Sequence, residues 1–79
     1  MQTRYTERQI KILEDGLLIA LTEQSYYNKP QLVKRMWLHA RPTCGLEETY
    51  RYVQERIDDG TLRPVLTLKK SILPEYTLS

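Results

Sequence analysis

The feature that most constrains this chain is a change of hydrophobic period near residue 62. Before it, apolar residues recur every three to four positions, as on the buried face of a helix. After it they alternate with other residues, which is typical of strands with one buried face: Leu62, Pro64, Leu66 and Leu68, then Tyr76 and Leu78. A chain of 79 residues has room for one modest core. The sequence therefore predicts one α+β domain over residues 1–79, with helices followed by a β-hairpin.

Three helices are predicted before the change of period, over about residues 6–23, 29–38 and 46–59. Thr6 and Gln9 have the spacing of a capping box. Asn28 followed by Pro30 is a typical start for the second helix. Pro42 separates the second helix from the third, because proline disfavours helical geometry at the residue before it.

The third helix has the clearest apolar face. Leu46, Tyr50, Val53 and Ile57 fall almost on one line along it, and Gly60 is the expected left-handed residue after its end. We therefore expect these four side chains to face the core. The opposite face then carries Cys44, Glu48, Arg51, Tyr52 and Glu55.

The hairpin is predicted over residues 62–79, with its turn at Lys69-Lys70-Ser71. Pro74 lacks a backbone N–H, which predicts that the second strand lies at a sheet edge or contains a bulge. Residues 25–28 are predicted to be a connector in which Tyr26 and Tyr27 are exposed. Trp37 is interpreted as a residue at the edge of the core.

The composition argues against several classes of function. Cys44 is the only cysteine and His39 the only histidine, so the sequence predicts no metal site and no Cys-His catalytic pair. It contains no catalytic triad and no glycine-rich phosphate loop. The longest apolar run, Leu17 to Leu21, falls far short of the roughly 20 residues that span a bilayer. We expect a cytoplasmic protein that is not an enzyme, with no cofactor, no small-molecule substrate and no membrane contact.

The order of elements and two segments resemble the winged helix-turn-helix family. In residues 45–62 a glycine and a leucine open the third helix, and a second glycine precedes the apolar residue that starts the wing. The second segment, Tyr76-Thr77-Leu78-Ser79, looks like the last wing strand. The resemblance covers residues 28–79. It implies a third helix that enters the major groove of DNA and a lysine-bearing wing that touches the backbone or the minor groove.

The residues of that expected DNA site lie outside the predicted core. Arg51 is expected to contact guanine and Glu48 to accept from a cytosine amino group, while Tyr52 and Thr43 reach phosphates. A basic rim would add phosphate contacts, and its members are Lys29, Lys34, Arg35, Arg41, Lys69 and Lys70. The predicted partner is double-stranded DNA, with a role in transcription regulation or as an accessory factor.

The protein is expected to bind DNA as a homodimer, because two half-sites multiply the affinity of a small module. The expected dimer surface is the side of the first helix that carries Ile12, Leu18 and Ile19. Cys44 precedes the third helix, and the helix N-terminus is expected to lower the pKa of its thiol.

Other interpretations stay open. Glutamates on the third helix oppose phosphates, so the alternative function is a winged helix that docks a partner protein through this helix without binding DNA. A third interpretation is that the outward face of the third helix binds nothing and is an ordinary solvated surface of mixed charge. Lys69-Lys70 is equally an ordinary charged turn that blocks edge-to-edge strand pairing.

Overall fold

The computed structural model describes residues 5–65 and 73–78 of the chain. Helices and strands follow one another in the order α1 (Glu7–Glu23), β1 (Tyr27–Asn28), α2 (Lys29–Ala40), α3 (Leu46–Asp58), β2 (Leu62–Pro64) and β3 (Glu75–Leu78). The predicted α+β class is confirmed. Three helices with a three-stranded antiparallel sheet are compatible with a winged-helix fold.

The first two helices begin at the predicted caps. The Thr6 hydroxyl accepts a hydrogen bond from the Gln9 backbone N–H at 3.1 Å, and the Gln9 side-chain oxygen accepts from the Thr6 N–H at 3.0 Å. Asn28 and Gln31 form the same reciprocal pair at the start of α2, at 2.9 and 3.3 Å. Each pair satisfies two N–H groups that have no partner inside the helix.

Proline and glycine account for the helix ends. α2 continues to Ala40 rather than ending at residue 38, because the first residue with extended backbone is Arg41, directly before Pro42. α3 ends at Asp58, one residue before its expected end. Gly60 has φ 87°, which confirms the predicted left-handed residue behind α3.

The strands form one antiparallel sheet in the order β1–β3–β2. β2 pairs with β3 so that Leu62 lies opposite Leu78, which confirms the base of the predicted hairpin. Tyr27 of β1 lies opposite Tyr76 on the other side of β3. β3 is therefore the central strand, held by neighbours from both halves of the chain.

Two predictions for the sheet are wrong. Residues 25–28 are not only a connector, because Tyr27 and Asn28 form β1 and the Tyr27 side chain is buried. The second hairpin strand does not lie at an edge, and it accommodates Pro74 because this residue precedes β3 rather than lying in it. The turn expected at residues 69–71 lies outside the described residues.

The core lies where the three helices meet the sheet. Its buried apolar residues include Leu13, Leu17, Leu32, Met36, Val53 and Leu62. A Cβ on Gly16 would lie 3.4 Å from the Met36 carbonyl oxygen, at the short end of ordinary van der Waals contact, so α1 and α2 pack closely at this point. Within the described residues, no buried side-chain nitrogen or oxygen lacks a hydrogen-bond partner.

The outer side of α1 differs in part from the expectation. Ile10 lies at helical spacing from the buried Leu13 and Leu17, yet it is exposed. Ile12, expected in a dimer surface, packs against the core, which leaves Leu18 and Ile19 as the exposed members of that surface. In the part of the chain that the structure describes, no helix combines the length and apolar character that crossing a membrane requires.

Candidate functional site

α3 turns a different side to the core from the one that its apolar residues predict. Thr49, Tyr52 and Val53 are 0%, 3% and 0% exposed, whereas Leu46 and Tyr50 are 53% and 50% exposed. The expectation that Leu46 and Tyr50 face the core is therefore wrong, and so is the outward placement of Tyr52. Only Val53 is fully buried as expected, with Ile57 partly buried beside the core.

Hydrogen bonding and ring packing explain this orientation. The Thr49 hydroxyl donates to the Gly45 carbonyl oxygen at 2.9 Å, so the polar group is buried with a partner. The Tyr52 ring meets the Tyr5 ring edge-on, with centroids 6.1 Å apart. The Arg56 guanidinium lies 4.8 Å from the Tyr52 centroid. These contacts let a threonine and a tyrosine fill the core side of α3.

Two expected members of the outward face are consequently inside. Cys44 is 2% exposed, and burial, together with the nearby Glu48 carboxylate, raises the pKa of its thiol. The expected lowering of this pKa by the helix N-terminus is wrong, because a buried thiolate would lose its hydration. Burial also raises the pKa of Tyr52, whose hydroxyl is not available to a phosphate.

The residues expected to read bases are engaged within α3. The Glu48 carboxylate accepts a hydrogen bond from the Gly45 N–H at 2.8 Å, so it caps the helix instead of facing outward to a base. Arg51 is exposed, as predicted, and its guanidinium lies 2.7 Å from the Glu47 carboxylate. Thr43, expected at a phosphate, is half-buried in the turn before α3.

The basic residues of the expected rim are not equivalent. Arg35 makes two hydrogen bonds to the Glu23 carboxylate, at 2.7 and 2.8 Å, and so is directed at α1. This contact lowers the pKa of Glu23. Lys34 in α2 and Arg41 directly after it are exposed. Two further members of the rim lie outside the described residues: Lys69 and Lys70.

An open groove of about 420 Å³ lies between α2 and α3. Its lining is mostly apolar and consists of Pro30, Val33, Lys34, Trp37, Leu46 and Tyr50. Leu46 and Tyr50 belong to it because α3 turns them away from the core. Trp37 is half-buried, as expected of a residue at the core edge, and it lines this α2–α3 groove.

Three cations border the α2–α3 groove. The Lys29 ammonium lies 4.1 Å from the Tyr50 ring centroid and donates to the Tyr50 hydroxyl at 2.9 Å. The Arg41 guanidinium lies 5.3 Å from the Trp37 ring centroid. Lys34 is part of the lining. Among the described residues, no carboxylate forms an ion pair with any of these three cations.

Sequence reasoning missed this groove for a specific reason. It assigned Leu46 and Tyr50 to the core because they share a line with Val53 along α3. The signal that could have separated them is Thr49, a residue whose hydroxyl can bond back to the carbonyl four positions earlier and thus be buried in a helix.

In the described residues, no three histidine, cysteine or acidic side chains are grouped to hold a metal ion.

Comparisons of the chain with protein-family models, with curated proteins and with solved structures gave no match. The α2–α3 groove brings three large side chains, Trp37, Leu46 and Tyr50, together with three cations.

Proposed function

We propose that this chain is a winged-helix protein-docking domain, without catalytic activity, that binds a partner protein through the α2–α3 groove. The observation that carries the proposal is the outward placement of Leu46 and Tyr50 beside Trp37. Single exposed apolar residues are ordinary, but several that line one groove are typical of an interaction surface. Tryptophan and tyrosine are also the residues that most often dominate binding energy at protein interfaces.

The charge of α3 favours a protein over DNA at this surface. Residues 46–58 contain four acidic and two basic side chains, and hence have a net charge of −2. A helix in the major groove lies between two phosphate chains, which repel negative charge. Leu46 moreover stands in the first turn of α3, the part of a recognition helix that reaches the bases, and its side chain has no hydrogen-bonding group.

Double-stranded DNA is the second candidate partner, and the cations at the groove favour it. Lys29, Lys34 and Arg41 lack carboxylate partners among the described residues, and exposed Arg51 could exchange Glu47 for guanine. In that case the domain would act in transcription regulation, as a homodimer through Leu18 and Ile19 of α1. The wing contact through Lys69 and Lys70, the dimer and the cytoplasmic location all stay predictions.

Site-specific photo-cross-linking tests the docking proposal. A photoreactive amino acid would replace Leu46 in the groove and, as a control, Leu18, which is 56% exposed on α1. Each variant of the full chain would be irradiated inside its source cells. We expect a discrete protein adduct from position 46 that position 18 does not give. Equal adducts from both positions, or none from position 46, would count against the groove.

Fluorescence anisotropy with random double-stranded DNA separates the two candidates. We expect no micromolar binding at moderate salt, because α3 has a net negative charge and its first turn carries Glu47 and Glu48. Micromolar binding that weakens steeply with salt, as phosphate contacts require, would replace the docking proposal by the DNA one. The same titration with Arg51→Ala would then show whether Arg51 reads a base.

A further inference from the structure

On the basis of the proposed docking function, we infer that the α2–α3 groove takes an amphipathic helical segment of a partner protein, with carboxylates flanking its apolar side chains. The apolar lining of the groove favours a helical partner with apolar side chains. Trp37 faces Leu46 and Tyr50 across an open groove between two helices, and helical partners of such grooves insert apolar residues at every third or fourth position.

The charges at the border of the groove favour carboxylates on the partner. At the α3 side, Glu47 is matched by Arg51, and Glu48 is used by the Gly45 N–H. At the α2 side, Lys29, Lys34 and Arg41 have no such match among the described carboxylates. The border of the groove is therefore positive, although α3 as a whole is negative. Complementary charge on a partner sets its orientation and excludes segments of the wrong sign.

The spacing of these cations indicates the size of the segment. Lys29 begins α2 and Arg41 follows its last residue, so the two are separated by about 18 Å along the helix axis at 1.5 Å per residue. Lys34 lies between them. A partner helix of about three turns would place one carboxylate near each cation while its apolar side chains reach Trp37 and Leu46.

Lys29 and Arg41 are held in place before any partner arrives. Each lies over the ring of a groove residue, Tyr50 and Trp37 respectively. A carboxylate that approaches either cation gains a charge-assisted hydrogen bond without first ordering a free side chain. The ring contacts thus direct acidic groups toward the edges of the apolar lining.

The test uses the fluorescence of Trp37, the only tryptophan of the chain, and three tryptophan-free synthetic peptides. The first is an amphipathic helix with leucines every third or fourth residue and glutamates beside them. The second has lysines for the glutamates, and the third is a scrambled form of the first. We expect the acidic peptide to shift Trp37 emission saturably and to bind about tenfold or more tightly than the lysine peptide, since like charges oppose docking.

Charge reversal in the protein provides the matched control. Lys34→Glu is expected to weaken the binding of the acidic peptide and to strengthen the binding of the lysine peptide. Lys11 is an exposed lysine on α1, and Lys11→Glu should change the affinity for neither peptide. Equal binding of both peptides, or no effect of Lys34→Glu on either affinity, would overturn the inference that the partner segment is acidic. If neither peptide binds while position 46 still cross-links to a protein, this inference fails and the docking proposal stands.

Discussion

The orientation of α3 is decided by two residues that can be buried although they carry hydroxyls. Thr49 returns its hydroxyl to the Gly45 carbonyl, and Tyr52 places its ring between Tyr5 and Arg56. Leu46 and Tyr50 are correspondingly turned to the α2–α3 groove. At the scale of residues, α3 thus buries Thr49 and Tyr52 with partners for their side chains and leaves the apolar Leu46 outside the core.

A pair of aspartate substitutions tests this orientation. Val53→Asp places a charge at a fully buried position and should cost about 4 kcal/mol or more, enough to abolish the cooperative thermal transition of a small domain. Leu46→Asp, at a half-exposed position of the same helix, should retain a melting transition close to that of the parent chain. Circular dichroism during heating measures both. Loss of the transition in Leu46→Asp would show that Leu46 belongs to the core.

At the scale of elements, the sequence was most informative about where helices begin and end. Thr6, Asn28, Pro42 and Gly60 each act within a few residues of themselves, so their effects can be read locally. β1 could not be predicted in this way, because two residues carry no alternation and their ladder depends on Tyr76, far along the chain. The side of α3 that faces inward also depends on distant packing, including Tyr5.

The adjacent tyrosines before α2 offer a test of how β1 is fixed. The Tyr27 hydroxyl donates to the Ala20 carbonyl oxygen of α1 at 2.6 Å in a buried position, so Tyr27→Phe should lower the free energy of unfolding by about 1 kcal/mol. Tyr26 is 42% exposed, and Tyr26→Phe should leave that free energy unchanged. Urea unfolding measures both variants. Equal effects would argue against a specific anchor at Tyr27.

At the scale of the whole molecule, the described residues include two buried groups, Cys44 and Tyr52, and one partly buried group, Tyr5, whose loss of contact with water favours the protonated form. Burial raises the pKa of Tyr5 to about 12, with a smaller contribution from Glu55. Burial likewise raises the pKa of Tyr52 and of Cys44. In the unfolded chain these groups ionise near their ordinary pKa values of 10.0 for tyrosine and 9.0 for cysteine. The folded chain thus binds more protons than the unfolded chain in alkaline solution.

The domain is therefore expected to lose stability as the pH rises. The contribution of these groups to the free energy of unfolding is fully present below pH 9.0, the ordinary pKa of cysteine. The contribution of Tyr5 is lost between pH 10.0 and about 12, as the pH passes from its ordinary pKa to its pKa in the folded chain. Urea unfolding at a series of pH values measures the decline. Tyr5→Phe should make it shallower above pH 10.0. An identical slope in parent and variant would contradict the role of Tyr5.

The central position of β3 has a consequence for the order in which the domain is assembled during synthesis. Ribosomes deliver a chain from its N-terminus, and early segments begin to fold first. α1, α2 and α3 are complete before residues 75–78 are made, whereas β1 and β2 share no ladder with each other and both wait for β3. The sheet therefore cannot form until residues 75–78 are available to pair with both β1 and β2.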